Sequence, residues 1–195
     1  CTVHLIESAE IGIVGVGEAT LPHLRSFIAL LGIDEATFMQ ATNATYKLGI
    51  EFHDFGTIGS RYLHPFGSFG TQLGGVPFHQ YWLRMRSSGS GGELWDYSIA
   101  NLMADARRFA PPASDTNSML STYSYAYQFD ATRFAPFLRD YAQKRGVRRT
   151  EGRVIEVLRE SQTGDVSGLH LESGERVEGD LPHRQQVRYA RVRGD

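Results

Sequence analysis

At 195 residues, with 41% hydrophobic and 22% charged residues, the chain has the composition of a soluble globular protein and the length of one domain with a real core. A formal net charge of -2 argues against general nucleic-acid binding, which calls for a basic excess. No apolar run approaches the roughly 18 residues of a membrane span and no signal peptide is visible, so the expected location is the cytoplasm.

The single cysteine, Cys1, has no partner in the chain, which fits a reducing compartment, and together with seven scattered histidines it makes no zinc-type spacing. Residues 2–6 alternate, are β-rich and end at Glu7, followed by Ser8. An acidic residue at a strand end is where dinucleotide-binding βαβ units bond a ribose hydroxyl, but by itself it means little, being also the ordinary solvated end of a strand. Gly15 and Gly17 punctuate a turn in which glycine takes backbone angles closed to other residues and lets a ligand approach the main chain. Pro22 is placed to open a helix whose Leu24, Phe27, Ile28 and Leu31 recur at helical spacing until Gly32 stops it. Asp34 caps a second helix containing Phe38 and Met39.

Residues 47–52 read as one strand, with Leu48, Ile50 and Phe52 on one face and Lys47, Gly49 and Glu51 on the other. Gly49 would leave an empty place beside the ammonium. A lysine with limited water access shifts toward its neutral, nucleophilic form; the alternative is a snorkelling lysine paired with Glu51 on a solvated face.

Residues 54–75 are rich in glycine and aromatics and read as a loop. With Tyr62, His64, Phe66 and Phe69 close together, it either lines an aromatic pocket or merely covers a sheet. Residues 79–85 look helical, 87–92 are almost wholly serine and glycine and suit a mobile link, 93–109 return to helical composition, and 110–121 form a loop. Tyr123, Tyr125, Tyr127 and Phe129 alternate as a strand with one aromatic face. Asp130 then caps a helix carrying Phe134, Phe137, Leu138 and Tyr141, closed by Gly146. A strand over 153–158 and a hairpin over 164–181, turning at Ser173 and Gly174, follow. Residues 182–195 carry Arg184, Arg188, Arg191 and Arg193 with almost no core-forming side chain. They are either a basic tail for an acidic partner or the product of a reading frame lost after Leu181. The second is preferred, because no linker separates them from what precedes.

Five words stand in register: GVGEATLP from Gly15, LGIDEATFM from Leu31, ATYKLGIEF from Ala44, YLHPFG from Tyr62 and VPFHQYWLR from Val76. In that order and spacing the chain resembles the flavin-dependent tryptophan halogenases over residues 1–181. The resemblance implies an α/β fold, part of an FAD-binding domain of the glutathione-reductase-like, Rossmann-type kind with inserted elements that begin a substrate region. It also implies that residues 1–181 lack the family's first glycine-rich unit and its second half, and that 182–195 are not native to it. The chain as given is then expected to be a fragment, inactive by itself.

The activity implied is chlorination or bromination of tryptophan or another indole. In it reduced FAD, delivered by a separate flavin reductase, and oxygen convert halide to hypohalous acid, which Lys47 receives. Position then selects the ring carbon. The resemblance carries Glu7, Ser8, Gly15, Gly17 and Ala19 over as cofactor contacts, with the backbone near Val154 on the adenine side, and His64 and Phe66 as bounds of the indole site. Two other classes remain open: a flavin-dependent monooxygenase of the same fold, which has no reason to keep Lys47 inside ATYKLGIEF, and a truncated relic or binding module without activity.

Overall fold

The computed structural model describes residues 2–13, 15 and 17–179; the expectations for Leu181 and for residues 182–195 lie outside them. The chain opens with β1 (His4–Glu7), β2 (Gly17–Ala19), α1 (His23–Leu30) and α2 (Glu35–Thr42). Next come β3 (Thr45–Lys47), β4 (Gly49–His53), β5 (Arg61–Pro65), α3 (Phe78–Ser87) and α4 (Ile99–Asp105). The last elements are β6 (Ala126–Asp130), α5 (Ala131–Gln143), β7 (Arg148–Glu151), β8 (Val154–Arg159), β9 (Val166–Leu171) and β10 (Arg176–Glu178). The expected α/β class is borne out. No helix among the described residues is long and apolar enough to cross a membrane. Two compact units share the chain, Gly15–Leu138 and the pair of segments Cys1–Val14 with Arg139–Asp195, and the division falls inside α5.

In the Gly15–Leu138 unit the central sheet has the order β2-β6-β3, antiparallel throughout. Tyr125, Tyr127 and Phe129 bury their rings against Phe38 of α2 and Ile28 of α1, which is the aromatic face that the alternation predicts. A second cluster joins Ala100 and Met103 of α4 to Tyr123. Leu48 packs against both clusters. Local chemistry sets the helix ends as expected. Pro22 stands at the N-cap of α1, the Asp34 carboxylate accepts from the Thr37 N–H at 2.8 Å to start α2, and Asp130 accepts from the Thr132 N–H at 2.9 Å to start α5.

Three expectations in this unit need correction. The single strand over 47–52 is two strands in two sheets: β3 pairs with β6, and β4 with β5, with the break at Leu48. Residues 54–75 are not all loop, because β5 lies inside them. And of 87–92, Ser87 ends α3 while 88–92 follow it as a bonded turn, in which the Ser88 and Ser90 hydroxyls donate to the Met85 carbonyl at 2.8 and 3.1 Å. That serine run satisfies the orphan carbonyl at the end of α3.

In the other unit β1 and β7 pair in parallel, with His4 opposite Arg148 and Glu7 opposite Glu151. A parallel pair needs a crossover, and here the whole Gly15–Leu138 unit sits within it, with α5 leading into β7. The strands β8, β9 and β10 form a separate antiparallel sheet, matching the predicted strand and hairpin. The strand β7, Arg-Arg-Thr-Glu, carries no apolar signal and was not expected.

Candidate active site

Lys47 ends β3, opposite Ala126 of β6. It is 8% exposed, and burial lowers its pKa from the ordinary lysine value. Its Nζ donates to the Thr20 carbonyl at 2.9 Å and lies 5.4 Å from the centre of the Phe66 ring. An ammonium has three donors, and Thr20 supplies one acceptor; no other hydrogen bond or ion pair engages Nζ among the described residues. Glu51, offered above as its partner on a solvated face, instead accepts from Arg61 Nε and lies 3.2 Å from His53 Nε2. The snorkelling reading is therefore corrected: past Leu48 the chain enters another sheet, and alternation stops relating the two side chains.

Gly49 does not leave an empty place beside the amine either. A Cβ there would stand 2.5 Å from the His64 carbonyl oxygen and 3.0 Å from Pro65 Cα, so the space is filled by the backbone of β5. The missing side chain lets two strands approach, as glycine inside a strand often does.

Phe66 is brought to the lysine by its backbone. Its N–H donates to the Leu48 carbonyl at 2.8 Å and its carbonyl accepts from the Ser124 N–H at 2.5 Å. The next residue, Gly67, permits this approach, since a Cβ on it would lie 2.8 Å from Tyr123 Cβ. His64 is different. It pairs with Ile50 on β5 and is exposed, and among the described residues its side chain makes no hydrogen bond or ion pair.

Of the expected cofactor residues, Gly15, Gly17 and Ala19 belong to the unit that holds Lys47, whereas Glu7, Ser8 and Val154 belong to the other. Gly15 has φ +124, a conformation other residues rarely adopt. Gly17 is corrected: it lies extended in β2 opposite Asp130, and a Cβ there meets its nearest atom at 3.9 Å, so neither strain nor crowding demands glycine. Ala19 is exposed and pairs with Gln128. Glu7, at the end of β1, takes Arg149 Nε at 2.5 Å and Arg139 Nη1 at 3.0 Å, both on Oε1. The Arg149 hydrogen bond above all holds its carboxyl below the usual carboxylate range. Ser8 is half-buried beside it, and Val154 starts β8.

Sequence reasoning passed over Thr20, the last residue of Gly-Glu-Ala-Thr and the source of the one carbonyl on the lysine. A hydroxyl residue at the end of a strand was the available signal.

The family model described as tryptophan halogenase matches residues 1–182. The chain belongs to that family. It is 33% identical over 198 residues to the tryptophan 6-halogenase SttH of Streptomyces toxytricini, covering 92% of this chain and 38% of the relative. Among solved structures it is similar to BrvH, a flavin-dependent halogenase from Brevundimonas sp. BAL3, at 39% identity and a TM-score of 0.84. It is likewise similar to Xcc4156, a flavin-dependent halogenase from Xanthomonas campestris, at 41% identity and a TM-score of 0.84. Each match covers 92% of this chain and 35% of the halogenase, so the chain spans well under half the length of these relatives.

Proposed function

We propose that this chain is part of a flavin-dependent halogenase that chlorinates or brominates tryptophan or another indole, and that Lys47 presents the halogenating agent. The observation that carries the reading is the Lys47 amine, buried, held by a single carbonyl and beside an aromatic ring. FAD reduced by a separate reductase, when bound, supplies hypohalous acid from oxygen and chloride or bromide.

The chain's own residues fit that cofactor in chemistry. Glu7 is a fixed, ionised acceptor at the end of a parallel strand, the group a ribose hydroxyl needs. Ser8 and the Val154 backbone are proposed as further cofactor contacts. Gly15, with its positive φ, suits close approach to the main chain, and Gly17 and Ala19 follow it on β2.

At Lys47 two modes are chemically available. The neutral amine, favoured by desolvation, attacks the halogen of hypohalous acid: the N–X bond forms, the O–X pair goes to oxygen, and the amine proton joins the departing hydroxide as water. Alternatively the ammonium donates a hydrogen bond to the oxygen and polarises the O–X bond. In either mode the halogen is held at one place, and proximity selects the ring carbon. Phe66 supports an indole by ring contact next to the amine, and His64 is proposed as its second contact from β5. A flavin monooxygenase reading leaves Lys47 without a task.

The test uses the chain extended at its own locus to the length of its relatives. Lys47→Ala is expected to leave flavin oxidation unchanged and to lower halogenated indole per flavin oxidised by at least about 100-fold. A mutant ratio close to the parent's overturns the assignment.

A further inference from the structure

Thr20 stands immediately after β2 and bonds in two directions. Toward β6 it makes three bonds to a single backbone residue. Its N–H donates to the Tyr127 carbonyl at 2.9 Å, its Oγ1 donates to the same oxygen at 2.9 Å, and its Oγ1 accepts from the Tyr127 N–H at 3.2 Å. In the other direction its own carbonyl accepts from Lys47 Nζ at 2.9 Å.

Tyr127 is itself immobilised. It pairs with Tyr46 of β3, it is 2% exposed, and its phenol donates to Glu35 Oε1 at 2.9 Å, as does the phenol of Tyr125 at 2.7 Å. The bonds to such a fixed residue hold the peptide that carries the Thr20 N–H and, through the hydroxyl, the Thr20 Cα–Cβ bond, so that a single backbone rotation, ψ of Thr20, separates this anchored Cα from the carbonyl that projects from it. A lysine side chain is flexible along its whole stem, so the direction of that acceptor decides where the amine rests.

We propose that Thr20 is the positioning residue for Lys47: its hydroxyl, bonded to both the carbonyl and the N–H of Tyr127, anchors the Cα from which the carbonyl that holds the amine projects. The value of this for halogenation rests on the reading of Lys47 given above, but the positioning itself does not. A threonine that merely finishes the β2–β6 pairing would affect stability and leave the amine untouched.

The sequence supplies its own control, because it holds two lysines, Lys47 and the exposed Lys144. The 195-residue chain labelled uniformly with 13C and 15N should therefore show two lysine Nζ resonances, with the Lys47 protons exchanging with water more slowly than those of Lys144 and with a scalar coupling across the hydrogen bond to the carbonyl carbon of residue 20. Thr20→Val keeps the size and removes the hydroxyl; it is expected to abolish that coupling and bring the Lys47 resonance and exchange rate to those of Lys144. Thr20→Ser keeps the hydroxyl and should retain the parent signal.

A folded Thr20→Val chain whose Lys47 signal is unchanged overturns the proposal, and so does a parent chain in which the two lysines behave alike. If Thr20→Val fails to fold, the coupling in the parent and in Thr20→Ser decides: present in both it supports the proposal, absent from either it refutes it. None of these readouts needs flavin, substrate or turnover. A Lys47 that is dispensable for halogenation yet released by Thr20→Val would sink the functional reading and leave the positioning standing; the reverse result would sink the positioning alone.

Discussion

The two halves of Ala-Thr-Tyr-Lys-Leu-Gly-Ile-Glu-Phe share one apolar-polar alternation and end up in opposite surroundings. The first half, as β3, joins β6 over an aromatic core, and Lys47 is buried there. The second, as β4, joins β5 in a hairpin where Phe52 stacks on Tyr62 and Phe55 is 69% exposed. Leu48 separates them, and its carbonyl is taken by Phe66. The two charges respond accordingly. Desolvation lowers the Lys47 pKa, which disfavours its charge, whereas the Arg61 hydrogen bond lowers that of Glu51, which favours its charge. The neighbour across the strand, and not local pattern, assigns each residue its chemistry.

The sharpest way to break this contrast is to truncate one aromatic in the surroundings of each half, Phe38 of α2 in the core that β6 joins and Phe55 between β4 and β5. Phe38 touches Tyr127, Phe129, Phe134 and Phe137 edge-on at centroid distances of 5.0, 5.8, 5.8 and 6.3 Å. Phe38→Ala should cost about 3–5 kcal/mol in urea unfolding, whereas Phe55→Ala should stay within about 0.5 kcal/mol. Equal effects would erase the distinction between buried and exposed halves.

A smaller effect is expected at the junction. Gly49→Ala places a methyl group against the His64 carbonyl and should cost about 1–3 kcal/mol. An unshifted unfolding midpoint would show that β4 and β5 do not approach as closely as described.

The smallest effect carries the opposite sign. Lys47→Met removes a desolvated charge and should stabilise the chain by about 1 kcal/mol at neutral pH. Because the folded pKa lies below the unfolded value of 10.5, the unfolded chain holds more protons between the two, and parent stability climbs with pH through that window. The penalty is complete below the folded value and gone above the unfolded one. Paired urea titrations at pH 7 and above 10 should show the Lys47→Met advantage shrinking, and an advantage independent of pH would mean that burial of the charge is not its cause.

By itself the sequence determined whatever local chemistry decides. The caps at Asp34 and Asp130, the proline at the start of α1, the aromatic face around Tyr127 and the turn at Ser173 and Gly174 all follow from short-range bonding and periodicity. Lys47 was singled out in the same way, by one cation inside an apolar word. Tertiary structure alone decided what stands opposite each residue. The strand β7 was invisible because its Arg149 is held by Glu7 and Glu151, ion pairs that leave no apolar period. The strand β5 was hidden in a glycine-rich segment that gains its order by pairing with β4. The same holds for the lysine: its alternation with Glu51 ended where Leu48 hands the chain from one sheet to another, and its real partner, Thr20, lies 27 residues away in the chain. A strand's periodicity records which face a side chain takes, but the atoms that meet it there come from chain segments that no local pattern names.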